Sequence, residues 1–328
     1  MTTRRGLMAG AAMAGAGMLG GAGVAGAAAP SAVGGRGQAP GFYQMRLGET
    51  VVTLVHDGTA RRPLDDGFVR NAPVEEVRDA LRAARQPEDT VMIPFTTTVV
   101  ERDGSLVLID AGTGGHLAPT AGAWMSNFRA AGYAPENVDA VVVSHFHGDH
   151  IQGLRDKDGE AVFPNARVLV PEAEWAFWMD EGAMSRAPEG MKGAFAGVRR
   201  VFGPMTGEVE RFSGEKEVAP GITSLPAHGH TPGHTAFMLE GGGERLLVWS
   251  DTTNKPELFV RNPGWHAVFD MDGEQAAETR KRMLEMAAGE ELRVAGYHFP
   301  FPATGFIAKE PQGWRFVPGF WEQGWGPG

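Results

Sequence analysis

"SHFHGDH" runs from Ser144 to His150 and sets three histidines and an aspartate within the six positions from His145 to His150. The segment "DAVVVSH" leads into it, a short apolar strand whose end presents the cluster. Side chains two apart at a strand end face one side, so His145 and His147 pair. Gly148 is expected to let the backbone turn tightly, after which Asp149 and His150 aim at a neighbouring position.

Three more residues of ligand type stand just beyond apolar strands. His230 follows "ITSLPAHG", Asp251 follows "LLVWS" and His298 follows "LRVAGY". Strand ends gathered on one sheet edge are where α/β proteins build sites. The pattern therefore predicts two divalent cations a few ångströms apart. His145, His147 and His230 would hold one, Asp149, His150 and His298 the other, and Asp251 would bridge them. The chain has no cysteine, which excludes disulfides and thiolate ligands. A His/Asp donor set suits zinc first, then manganese, cobalt or iron(II). His56, His116 and His266 stand apart and read as surface or hydrogen-bonded residues.

Working outward, "FYQMRLGETVVTLVHDGTA" reads as two strands. "VMIPFTTTVVERDGSLVLIDAG" reads as a hairpin turning at Asp103-Gly104, with Asp110 closing its second strand. "APVEEVRDALRAARQ", "TAGAWMSNFRAAGYAPENV" and "GEQAAETRKRMLEMAAGEE" read as helices, and "ARVLVPEAEWAFWMDEGA" as a strand followed by a helix. Residues 181–215 are rich in Gly, Met and charge with poor periodicity, and read as a long loop or lid. Strands and helices mix throughout with no Pro- or Ser-rich linker. The expected fold is one α/β domain with helices covering sheet faces.

The first 27 residues read as a signal peptide. Arg4 and Arg5 precede a Gly/Ala/Met-rich stretch from Leu7 to Val24, and Ala25-Gly26-Ala27 supplies a small-x-small cleavage signal. The paired arginines point to the twin-arginine route and to a periplasmic or secreted product. Residues 28–40 read as a disordered arm, and residues 41–328 as the folded domain. The 328 residues, 42% of them hydrophobic, suffice for a substantial core. No interior run is long and apolar enough for a membrane span. The formal net charge is −10, and loss of a leader holding two arginines and no acid makes it more negative. Such a surface repels phosphate backbones, so a nucleic-acid partner is not expected, and a small neutral substrate is.

"SHFHGDH", "HGHTPGHT", "WSD" and "GYH", in this order, resemble the metallo-β-lactamase superfamily. "AAGYAPENVDAVVVSHFHGDHIQGL", "FPNARVLV" and "GWRFVPGF" are similar to its methyl parathion hydrolase branch, with lactonase and arylesterase relatives, over roughly Gly41 to Glu322. The resemblance implies an αββα sandwich with metals at one edge of the sheets, and a homodimer. It places the metal ligands on the same seven residues. Asp110 falls on an aspartate that orients a ligand loop, and His234 in "HTPGH" is likewise a supporting residue. Trp178 falls on a tryptophan of the substrate pocket and Leu117 where the branch carries an aromatic; Phe195, in the expected lid, is a third candidate for the pocket. "DTTN" after Asp251 is polar where the branch is apolar.

Two divalent ions sharing a water lower its pKa from about 15.7 to near 7, so a bridging hydroxide can attack an ester or lactone at neutral pH. Asp149 would orient it and carry a proton to the leaving group, and Asp251 would hold the pair together. No G-x-S-x-G elbow and no cysteine nucleophile competes with this scheme. Lactone or carboxyl-ester hydrolysis, acyl-homoserine lactones included, is the expected function, with organophosphate triesters as a side activity. An exported metallo-β-lactamase is a rival that Asp251 opposes. A glyoxalase II-like thioesterase shares the ligands but ends in a basic tail, unlike "GWRFVPGFWEQGWGPG" here. An exported metal-binding protein with an idle site would be expected to have lost a ligand.

Overall fold

The computed structural model describes residues 38–321. The leader expected over residues 1–27 and most of the expected arm lie outside them. The strand-forming segments make two seven-stranded sheets. The first holds β1 (Phe42–Leu47), β2 (Thr50–Pro63), β3 (Thr90–Arg102), β4 (Ser105–Ile109), β5 (Ala140–Val142), β6 (Arg167–Pro171) and β7 (Glu210–Phe212), side by side in chain order. The second holds β8 (Lys216–Ala219), β9 (Ile222–Pro226), β10 (Thr235–Gly241), β11 (Glu244–Ser250), β12 (Arg293–Gly296), β13 (Thr304–Glu310) and β14 (Gly313–Pro318) in the same sequential arrangement.

Alternation along the strands builds the layers. In β5, Ala140 and Val142 face the core between the sheets, while Val141 and Val143 beyond its end face the opposite way. In β11, Leu246 and Val248 face the inter-sheet core, and Leu247 and Trp249 the other side. The outer face of the first sheet packs on α2 (Trp124–Ala130) and α6 (Glu189–Phe202) through Trp124, Phe128, Val198 and Phe202. The outer face of the second packs on α7 (Gly273–Gly289) through Met283, Leu284 and Ala287. Helix, sheet, sheet, helix is the αββα sandwich. α1 (Val74–Ala83) belongs to a side cluster with Phe68, Phe95, Phe259 and Tyr297.

Residues 181–215 correct the sequence reading. They form α5 (Glu181–Arg186), α6 and β7 rather than a lid. Phe195, Val198, Val201 and Phe202 make a buried helical stripe, and that burial overrides a glycine-rich composition. Gly193 and Gly197 have open space where a Cβ would sit. Gly193→Ala and Gly197→Ala should therefore each stabilise the fold by about 0.5–1 kcal/mol, seen as a higher midpoint in chemical denaturation. A lower midpoint in both would contradict the helix.

Candidate metal centre

The parallel pairs β4–β5, β5–β6 and β11–β12 bring several strand ends to one edge. Asp110 follows β4, Ser144 and His145 follow β5, Glu174 lies just past β6, Asp251 follows β11 and His298 follows β12. Asp110 and Ser250 both sit at positive φ, 65° and 47°. Non-glycine residues held there carry strain that the surrounding contacts must offset, as is common beside functional sites.

His145 Nε2 lies 3.1 Å from His147 Nδ1, and His230 Nε2 lies 2.9 Å from the same atom. His230 Nδ1 donates to Asp270 Oδ1 at 2.8 Å, which turns Nε2 towards the cluster. Three ring nitrogens thus converge with too few protons to satisfy them. Burial lowers the His145 pKa well below its ordinary value and holds that of His147 near 3, so neither ring relieves the crowding by protonation.

The second group is Asp149, His150 and His298. His298 donates Nδ1–H to the Pro94 carbonyl at 2.8 Å, which aims Nε2 at Asp251 Oδ2, 2.9 Å away, and Asp149 Oδ2, 3.4 Å away. His150 Nε2 is 3.4 Å from Asp149 Oδ2 and from Asp251 Oδ1. Both His150 Nε2 and Asp251 Oδ1 are buried without a hydrogen-bond partner. Burial opposes charge on His150 and His298, yet the neighbouring carboxylates outweigh it and raise both pKa values. The cluster calls for positive charge at its centre. Asp251 touches both groups, because Oδ2 also lies 3.3 Å from His230 Nε2. Convergent lone pairs, orphaned polar atoms and a His/Asp donor set fit divalent cations.

Supporting residues complete the arrangement. Asp110 accepts from Ser144 N at 2.7 Å and Ser144 Oγ at 2.8 Å, and faces His150 Nδ1 at 2.8 Å. Ser144 Oγ meets Ser250 Oγ at 2.9 Å, tying the two sheets together below the cluster. His234 donates Nδ1–H to Ala227 O and accepts at Nε2 from the Asp251 amide at 3.0 Å. Both its nitrogens are thereby used, so it positions Asp251 instead of joining the cluster. His228, which also stands near the motif, lies outside every group.

Sequence reasoning missed four supports. Glu174, fully buried, accepts from Phe146 N (2.9 Å), Trp178 Nε1 (2.9 Å) and Gly233 N (2.6 Å), joining the His145–His147 loop to the His230 loop. A Cβ at Gly233 would lie 2.5 Å from Glu174 N, so the approach requires glycine. Asp270 holds His230 and accepts from Arg280 Nη2 and Ala267 N. Asp57 accepts from Thr113, Gly122 and Trp124 amides and fixes the loop after Asp110. Tyr297 donates to the Asp149 carbonyl at 2.6 Å and packs its ring on His150, centroids 3.8 Å apart. Replacing a carboxylate behind a ligating histidine weakens metal binding about 10–100-fold. Asp270→Asn should do so here, measured by competition with a chromophoric chelator; unchanged affinity would count against the role of Asp270.

A cavity of about 440 Å³ opens over the cluster, with His147, Asp149, Asp251 and His298 on its polar side. Its apolar wall is Ala60, Ile93, Phe95, Leu117 and Phe269. Leu117 is among the residues that line it. Trp178 and Phe195 do not: both are buried in the core under the first sheet, Trp178 anchored by its hydrogen bond to Glu174 and Phe195 packed on its ring at 4.7 Å. Trp178 comes no nearer the site than an edge contact with His147, ring centroids 6.3 Å apart. Gly148 also differs from expectation. Its φ is not positive, and the chain passes from an extended His147 straight into α3 (Gly148–Ile151). A Cβ at Gly148 would lie 2.8 Å from Gln152 Nε2, so its missing side chain makes room for Gln152.

The metallo-β-lactamase superfamily model matches residues 93–298 of the chain. The chain is 28% identical over 170 residues to the anti-Pycsar protein Apyc1 of Saccharibacillus brassicae, a match covering 49% of this chain and 62% of that one. It is 26% identical over 164 residues to an N-acyl homoserine lactonase of a Bacillus species, covering 50% of this chain and 56% of that one. It thus spans less than two thirds of the length of these relatives. Among solved structures, hydrolase AbOPH of the β-lactamase superfamily superposes with a TM-score of 0.81 at 27% identity, over 88% of this chain and 100% of that one. AidC, a dizinc quorum-quenching lactonase, shares the fold with a TM-score of 0.81 at 24% identity, over 86% of this chain and 99% of that one. The matched span takes in every residue of the cluster, and the chain belongs to the metallo-β-lactamase superfamily.

Proposed function

We propose that this chain is a hydrolase that opens lactones or cleaves carboxyl esters, and that acyl-homoserine lactones are within its range. The observation that carries the reading is the position of Asp251, whose two oxygens face the two histidine groups. His145, His147 and His230 would hold one divalent cation, Asp149, His150 and His298 a second, with Asp251 shared; zinc is the first choice. Bound there, the cations supply acidified water and a Lewis acid for the substrate carbonyl.

The protein's own groups do the rest. Asp149 is the most exposed carboxylate of the cluster, its side chain 16% exposed at the cavity, and it is placed to take a proton and return it to a departing oxygen. Tyr297 holds the Asp149 backbone and His298 is fixed in one tautomer by Pro94. The wall of Ile93, Phe95, Leu117 and Phe269 excludes water and takes up an apolar acyl chain. The likeness to the Bacillus N-acyl homoserine lactonase supports a lactone substrate. Organophosphate triesters belong to the same proposal as a side activity, as do export by the twin-arginine route and a homodimer.

One panel tests the reading. Zinc-loaded protein is assayed on an acyl-homoserine lactone, an aryl ester, methyl paraoxon and nitrocefin. Turnover of the lactone or the ester is expected to exceed that of the other two. Nitrocefin as the best substrate would overturn the proposal.

A further inference from the structure

The cavity wall is apolar and the cluster side polar, but one charge sits outside this division. Among the described residues lining the cavity, Arg62 is the one Lys or Arg. It lies on β2, opposite Val91 of β3. Its guanidinium carbon stands 5.4 Å over the Phe269 ring and 5.7 Å from the centroid of Phe68, which orients the group from two sides. Its ion pair is single and long, Nη2 to Asp65 Oδ2 at 3.4 Å, and its side chain is 35% exposed. Several forked N–H donors are therefore left for something else. A chain of net charge −10 repels anions at a distance, so a fixed cation at the cavity wall changes which small molecules can settle there.

We propose that Arg62 is a specificity residue, reading a carboxylate at the end of the substrate remote from the bond cleaved. The guanidinium fork matches a carboxylate in two parallel hydrogen bonds, and the rings of Phe68 and Phe269 hold it ready for that geometry. The inference rests on the hydrolase reading above and deepens it: among esters and lactones, those that also carry a distal anion are preferred over their neutral counterparts.

The test pairs 4-carboxyphenyl acetate with 4-methylphenyl acetate on the zinc-loaded enzyme, and compares the ratio of their kcat/KM values between wild type and Arg62→Met. Taking the ratio between enzymes cancels the difference in leaving-group reactivity. The ratio is expected to fall about tenfold to a hundredfold in Arg62→Met, mostly through KM, and to be partly kept in Arg62→Lys. In the wild type alone, added salt should lower it. An unchanged ratio in Arg62→Met overturns the proposal and leaves Arg62 as a cover for two phenylalanines. Calorimetric binding of 4-hydroxybenzoate, the carboxylated product, gives a readout without turnover. If neither these esters nor the lactone of the panel is hydrolysed but this binding weakens in Arg62→Met, the hydrolase reading fails while the carboxylate site stands; equal binding to both proteins overturns the site.

Discussion

Asp251→Ala is expected to lower kcat/KM on the best lactone or ester substrate by about 10³-fold or more, equivalent to about 4 kcal/mol of barrier. The size follows from position. Asp251 contacts His298, His150 and His230 within 3.4 Å, and among the described residues no other carboxylate forms an ion-pair contact with both histidine groups. On the proposed reading, its removal would separate two sites that the chemistry uses together. The fold should survive, since the Asp251 amide still donates to His234 and β11 still pairs with β10 and β12. An unaltered circular dichroism spectrum with lost turnover is the expected pair of results. Full activity in the variant would show that the shared carboxylate is not needed.

Glu174→Ala should be among the most damaging substitutions for stability, costing about 3–5 kcal/mol. Its carboxyl is fully buried and takes three donors from three separate places: a backbone amide beside His147, the indole of Trp178 and a backbone amide beside His234. Truncation leaves all three without partners in a site closed to water. Glu174→Gln offers one acceptor oxygen in place of two and should fall between. Equilibrium denaturation reads both variants. A change under about 1 kcal/mol for the alanine variant would mean that the two loops are held by other contacts.

These two residues also mark how far the sequence carries. Asp251 is legible because it ends an apolar run, and so are His145, His230 and His298; a strand followed at once by a ligand-type residue is a local pattern that survives into three dimensions. The residues alone yield one α/β domain with helices covering sheet faces; the sandwich comes from the family resemblance, because β10 and β11 are apolar on both faces and carry no alternation in sequence. Glu174 is not legible. In "EAEWAFW" it looks like an exposed acid on an amphipathic turn, and its burial depends on Gly233, 59 residues further along, pressing against it. Asp270 likewise stands in a loop with no periodic signal and meets His230, 40 residues away, alongside Arg280 of α7. The misreading of residues 181–215 has a related cause. Glycines on an open helix face dilute the hydrophobic period, while the four buried positions that decide the structure are spread over eight residues. Trp178 and Phe195 show the converse: large aromatics near a site are drawn into the core, and the cavity is walled by Phe95, Leu117 and Phe269 from other elements.

The most direct test of the central claim is the metal content of the loaded protein. Apo protein is titrated with zinc, freed of loosely bound metal, and analysed for metal and protein together. Six side chains meeting around Asp251 predict about two ions per chain, falling towards one in Asp251→Ala. A saturating value of one ion per chain in the wild type would contradict the account.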